Sequence, residues 1–501
     1  MLRTIRIISA ILFFALTTFL FLDFTGSIHL WLGWMAKIQL MPALLAINVG
    51  VVAFLLLLTL AFGRIYCSVI CPLGVFQDIV SWVAGKRKKN RFKYSLPLNW
   101  LRYLMMVLFI VSLFAGFSTL VSILEPYSAY GRMVSSLLAP IYQWGNNLFA
   151  YLAERADSYL FYDVEVWLKS VTVLVVSATT LIVTGVLAWR NGRSYCNTIC
   201  PIGTFLGLFS RFSLYKPRFK YDKCNNCGLC ARNCKSSCID AKEHKIDYSR
   251  CVACMDCIEK CSQDAIVFAP AFKCKQSKST PTVTSEKPDD NYDSTRRRFL
   301  SLTAIVAVTS LAKSQEKRGD GGLALLVDKK ASKRSTFISP PGSHSGDHLI
   351  KHCTACQLCV SACPNQVLHS STRWMTLMHP EMSFERGYCR PECVKCSEVC
   401  PTSSIQPITV ADKSATQIGH AVWVKERCVV ISKDTSCGNC ARHCPVGAIQ
   451  MVASDLARKD SLTIPVVNTE RCIGCGACEH LCPSNPYSAI YLEGHERHRT
   501  V

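Results

Sequence analysis

Apolar positions form long unbroken runs before residue 190, and afterwards such a run appears once more. Runs of near-bilayer length occupy Ile7 to Phe24, Leu40 to Phe62, Leu101 to Leu124 and Val171 to Trp189, with a shorter one from Phe299 to Ala312. The pattern predicts four membrane spans and a short fifth candidate, in preference to buried helices of a large soluble protein. Trp31, Trp34, Trp100, Trp144, Trp167 and Trp189 fall near the predicted boundaries, where interfacial anchors sit.

Charge orients these spans. Residues 63 to 98 carry seven Lys/Arg against one acid, 99 to 189 carry four against five, and 190 to 298 carry 20 against 11. By the positive-inside rule the amino terminus (Arg3, Arg6), the second loop and the segment after 190 are cytoplasmic, and the first loop and Glu125 to Glu165 lie outside. The net charge of +21 is thus a topology signal, and a basic nucleic-acid binder is excluded on that ground. At 501 residues, two or more folding units are expected.

The second and fourth runs are each followed by the same pattern, G-R-x-Y-C-x2-I-C-P-x-G-x-F, from Gly63 to Phe76 and from Gly192 to Phe205. This predicts a duplicated two-span unit whose copies meet at the cytoplasmic surface. Cys67, Cys71, Cys196 and Cys200 are candidate redox residues, either converging as four soft ligands for a further metal or cluster or acting as dithiol pairs. The alternative is a structural turn set by Pro72 and Pro201.

The 30 cysteines are dominated by C-x2-C-x2-C-x3-C spacing, which wraps an iron-sulfur cubane, the fourth cysteine ligating the neighbouring cluster. One pair of runs is Cys224, Cys227, Cys230, Cys234 and Cys251, Cys254, Cys257, Cys261. Crossed ligation there gives Cys261 to the first centre and Cys234 to the second. Lys235 and Ser262 replace the usual following proline. Four further runs end in C-x3-C-P: Cys353, Cys356, Cys359, Cys363; Cys389, Cys393, Cys396, Cys400; Cys428, Cys437, Cys440, Cys444; and Cys472, Cys475, Cys478, Cys482. Six [4Fe-4S] clusters are expected. Zinc is disfavoured, because its sites use two separated pairs rather than a fourth cysteine at x3-P. Cys238 and Cys274 are left over and read as ordinary unligated cysteines.

Between the two cysteine-rich units, a polar stretch leads to Ser294-Thr295-Arg296-Arg297-Arg298-Phe299-Leu300-Ser301 and the short apolar run. This fits a twin-arginine export signal or the basic flank of a fifth span. Either places the residues after about 313 outside. The expected organisation is a four-span membrane domain (1–215), a cytoplasmic two-cluster ferredoxin domain (216–274), a linker (275–293), the signal or fifth span (294–312) and a periplasmic four-cluster domain (313–501). The fold class is an α-helical membrane domain plus α+β bacterial-type ferredoxin domains.

On these motifs, residues 1 to about 275 resemble the NapH/MauN family of membrane ferredoxin-type proteins. Residues from about 294, with Ser339-Pro340-Pro341-Gly342 before the first cluster run, resemble the NapG/MauM family of exported four-cluster ferredoxins. The resemblance implies quinol dehydrogenase activity in the bacterial inner membrane, with electrons passing to a periplasmic redox protein or reductase such as a nitrate reductase system. It also implies pairing of the first C-terminal run with the fourth and of the second with the third. The partners expected are quinol, that redox protein and membrane lipid. No histidine lies between His29 and His244, so no axial pair for a transmembrane b-type haem is expected. The rival reading is a redox maturation factor for a metalloenzyme.

Overall fold

The computed structural model describes residues 2–23, 26–87, 92–158, 161–166, 169–271, 318–319, 324–325, 329–454 and 461–500. The linker and twin-arginine segment, Cys274 and Trp167 lie outside the described residues.

Two of the predicted spans are single helices of 21 residues, α1 (Leu2–Leu22) and α12 (Val171–Asn191). Both are long and apolar enough to cross a membrane. The other two are interrupted. The second divides into α4 (Leu40–Leu45) and α5 (Val49–Phe62) at Ile47, whose φ of 54° is left-handed. The third divides into α8 (Asn99–Ala115) and α9 (Ser118–Leu124) at Gly116, φ 78°. Hydropathy counts apolar residues and is blind to such breaks, because a single left-handed residue ends a helix without adding a polar group. Short helices α2 (Ser27–Leu32) and α3 (Trp34–Lys37) join α1 to α4.

Three further helix groups fill the bundle. Each motif copy forms a short helix, a turn and a longer helix: α6 (Ile65–Val69) with α7 (Pro72–Arg87), and α13 (Ser194–Thr198) with α14 (Pro201–Ser210). Between them lies α10 (Pro126–Met133), every residue of which is buried, in contact with α7 and α12. Glu125 caps it, its carboxylate accepting from the backbone N–H groups of Tyr127 and Ser128. A π-helical turn, Val134–Leu138, leads into α11 (Ala139–Glu154).

The cysteine-rich units share one plan, two cysteine runs flanking an antiparallel hairpin. In the first, β1 (Tyr215–Phe219) pairs with β4 (Ile266–Pro270) around the hairpin of β2 (Ile239–Asp240) and β3 (Lys245–Ile246). After a two-residue pairing of β5 (Arg318–Gly319) with β6 (Ala324–Leu325), the hairpin of β7 (Leu368–Ser370) and β8 (Pro380–Met382) separates the next two runs. In the last unit β9 (Thr416–Trp423) pairs with β12 (Ile490–Thr500) around β10 (Ile449–Ala453) and β11 (Thr463–Val467).

The units sit at opposite ends of α1. Arg3 pairs with Asp256 at 2.7 Å and with Glu259 at 2.5 Å. At the other end, Phe21 and the Cys356 carbonyl both crowd Gly131 of α10. At 1.5 Å per residue, Arg3 and Phe21 are about 27 Å apart along the helix.

Candidate iron-sulfur centres

Four regular cysteine runs share one backbone device. The residue before the second cysteine and the residue after it are both left-handed: Asn226 and Gly228, Ala253 and Met255, Ala355 and Gln357, Gly474 and Gly476, with φ between 50° and 84°. Two such turns reverse the chain on either side of the second cysteine. For Ala253, Met255, Ala355 and Gln357 this conformation costs about 1 kcal/mol or more each, a strain tolerated where a ligand is held.

In the first unit, Cys224 and Cys227 lie within electrostatic reach of Cys230; together they form site I. A cavity is lined by Cys234, Cys251, Cys254 and Cys257, here called site II. Cys234 has therefore left its own run to join the second, while Cys261 lies at the foot of β4, its sulfur accepting from Ala265 N at 3.2 Å.

The C-terminal runs join in the same manner, consecutively. Cys400 lies within reach of Cys353, Cys356 and Cys359 (site III). Cys363 lies within reach of Cys389 and Cys396, and Cys393 neighbours Cys389 (site IV). Cys444 stands by Cys472, Cys475 and Cys478's run (site V), and Cys482 by Cys440 and Cys437 (site VI). Cys428 is buried in the same core. The pairing of first run with fourth and second with third is corrected: first pairs with second and third with fourth. The cause is local, since each pair is joined by its own hairpin and the chain needs no long crossover to close it. Sites IV and V then adjoin, Cys389 N donating to the Cys475 carbonyl at 2.9 Å.

The four thiols of the duplicated motif come together as well. Cys67, Cys71, Cys196 and Cys200 are each 3% exposed, in one apolar core, and within reach of one another. The copies are clamped reciprocally. Arg64 Nη2 donates to the Cys196 carbonyl at 3.1 Å, and Arg193 Nη1 donates to the Cys67 carbonyl at 2.5 Å. Gln77 Nε2 lies 3.2 Å from Cys196 Sγ. Among the described residues, no three His, Cys, Asp or Glu side chains converge closely enough to hold a single metal ion. The donor set at each site is all cysteine, the ligand chemistry of iron-sulfur centres.

The bundle site touches both ends of the molecule. Val252 and Cys254 of site II and Cys356 and Cys359 of site III belong to or pack on the same apolar core as the four thiols. Tyr195 lies within reach of Cys196, Cys200 and Arg132; the Arg132 guanidinium donates to the Ala355 carbonyl at 3.3 Å. On the other side, Arg64 donates to Ser249 O at 3.1 Å, and Arg102 to the same carbonyl at 3.3 Å.

Residues outside the motifs complete these contacts. Lys235, in the place of the expected proline, pairs with Asp256 at 2.9 Å and Asp78 at 3.5 Å, while Asp78 also binds Arg193 at 2.8 Å and Arg6 at 2.9 Å. Burial alone would raise the Asp78 carboxyl, but Arg193, Lys235 and Arg6 hold it well below the usual carboxylate range. Cys238 lines the site II cavity, 1% exposed, its sulfur 3.5 Å from that of Cys234. Its thiol hydrogen bond draws Cys234 down to about 7 and lowers Cys251. No spacing rule marks Cys238; its position four residues after Cys234 was the available signal.

Comparisons with known proteins find iron-sulfur domains over these cysteine motifs. The family described as a 4Fe-4S binding domain matches residues 43–90 and again 171–221, one copy of the C-x3-C-P motif in each. A 4Fe-4S dicluster domain matches residues 435–485, spanning most of the third C-terminal run and all of the fourth. The ferredoxin-type protein NapF of Escherichia coli is 30% identical over 164 residues, 32% of this chain and 90% of NapF. The chain belongs to this ferredoxin-type family. The methylamine utilization ferredoxin-type protein MauM of Methylophilus methylotrophus is 28% identical over 192 residues, 37% of this ferredoxin-type chain and 79% of MauM. MauM of Paracoccus denitrificans is 29% identical over 194 residues, 38% and 85% respectively. No solved structure matches. The protein is an iron-sulfur electron-transfer protein of ferredoxin type.

Proposed function

We propose that the chain is a membrane conduit that takes electrons from quinol and passes them to a periplasmic redox partner, such as a nitrate reductase system, through six [4Fe-4S] clusters. The 24 cysteines of the six runs hold the clusters with crossed ligation, Cys261 completing site I and Cys234 site II. The four motif cysteines hold a further cluster. The bundle crosses the inner membrane four times, site I and site II facing the cytoplasm and sites III to VI the periplasm.

The observation that carries this reading is the unbroken order of the sites. Site II, the four bundle thiols and site III share one apolar core, and sites III to VI follow in a row. The sequence left open how electrons cross the bilayer, and in this reading the bundle thiols, in the core that sites II and III share, hold the relay. In this arrangement the bound clusters supply one-electron storage at low reorganisation. The chain's own part is to hold the thiolates, exclude water and present N–H donors to sulfur, as Ala448 N does to Cys444 at 3.2 Å and Ala489 N to Cys482 at 3.3 Å.

Iron and acid-labile sulfide analysis with EPR tests the cofactor content. Six cubanes, or seven with the bundle site, are expected, and two or fewer would overturn the assignment. Reporter fusions at Asp290 and Gly321 should lie on opposite sides of the membrane.

A further inference from the structure

Where α2, α3 and α4 meet the helix Lys395–Glu398, the surface is cut by two adjoining pockets that share Lys37 and Glu398. One is lined by His29, Gly33 and Trp34, the other by Ala46, Asn48 and Cys400. Three properties coincide here. The rim is apolar and open, with Leu30 82%, Trp34 51% and Ile47 79% exposed. An imidazole stands in the wall, where a ring hydroxyl would meet it. A thiol of site III lines the same groove, so a ligand there lies within electron-transfer distance of that site.

We infer that this groove is a quinol-oxidation site, the ring lying between His29 and the Cys400 wall and the hydrocarbon tail leaving over Leu30 and Trp34 into the bilayer. The inference deepens the proposed function and rests on site III holding a cluster. Both O–H bonds of the quinol break and its two C–O bonds become C=O. One proton passes to the His29 imidazole and the other to water at the open polar end beside Lys37. The two electrons would leave one at a time for iron-sulfur centres held by the cysteines of sites III and IV. Burial lowers the His29 imidazole from its ordinary value, opposed by Asp23 and reinforced by Lys37. Lys395 and Glu398 face it across the groove. The backbone N–H of His29 donates to Asp23 at 3.0 Å, which fixes the start of α2 and hence the ring's position.

The test uses the full chain in liposomes, with decylubiquinol as donor and a quinoline N-oxide as binding reporter. In His29→Ala and, separately, in the groove-filling Ala46→Trp, quinol-driven cluster reduction should slow at least tenfold. The N-oxide should bind at least tenfold more weakly to Ala46→Trp. Iron content and dithionite-reduced EPR signals should match the parent. Quinol-driven rates within twofold of the parent in both variants, with clusters intact, would overturn the groove. A parent chain with no dithionite-reducible signal would instead overturn the cluster assignment, and the groove with it.

Discussion

Arg193 of the second motif donates to the Cys67 carbonyl of the first at 2.5 Å, and Arg64 returns the contact to Cys196 at 3.1 Å. The exchange makes the two motif copies one structure, and it explains the glycine two residues after each proline. A Cβ on Gly74 would stand 2.2 Å from the Cys67 carbonyl oxygen and 2.9 Å from Arg193; on Gly203 it would stand 2.3 Å from that of Cys196 and 2.6 Å from Arg64. Gly74→Ala and Gly203→Ala should each cost about 3 kcal/mol, the upper range for overpacking. Thermal unfolding in detergent checks this, and a loss in only one variant would contradict the symmetry.

Asp78 is the hub of the contact between the bundle and the first ferredoxin unit. Asp78→Asn leaves Arg193 buried without its counter-charge and leaves Lys235 to Asp256 alone, an expected loss of about 3–5 kcal/mol. Limited proteolysis after Ser213 should then release the ferredoxin unit. The pH dependence follows from the sign. Asp78 and Asp256 are both lowered on folding, so their stabilisation is complete above the unfolded value of about 4 and is lost as pH falls toward the folded values. Protection from the protease should hold from pH 7 to about pH 5 and fail below about pH 4.

Cys238 is the hydrogen-bond partner of the site II thiols Cys234, 3.5 Å away, and Cys251. Cys238→Ala should keep the cluster and lower its potential by about 40 mV, the equivalent of one hydrogen bond of about 1 kcal/mol in a one-electron couple. A redox titration followed by EPR reads this directly. Loss of the cluster would instead make Cys238 a ligand.

Run pairing has its own test. Cys400→Ala should remove the same EPR-detected centre as Cys353→Ala, and Cys363→Ala the same one as Cys389→Ala. If Cys482→Ala and Cys353→Ala remove one centre in common, the consecutive pairing is wrong.

The cysteine runs, the duplicated motif and the charge pattern were legible in the sequence because each depends on local spacing. The breaks at Ile47 and Gly116 were not, since each is a single dihedral inside an apolar run. The run pairing carried over from resemblance failed, although the short hairpins between consecutive runs follow from local chain geometry. Lys235 looked like a weakened cluster motif. Its reason is tertiary: it exchanges a turn-forming proline for an ion pair with α7. The reciprocal arginines were visible as part of a repeat, but that each serves the other copy needed the fold.

The central claim is that the bundle thiols join the two sets of clusters. Oriented liposomes of the full chain, reduced with dithionite only on the side of sites I and II, test it by EPR. The account predicts reduction of all centres in the parent, and of the first unit alone when Cys67 and Cys196 are both replaced by Ala. Reduction of sites III to VI at the parent rate in that variant would contradict it.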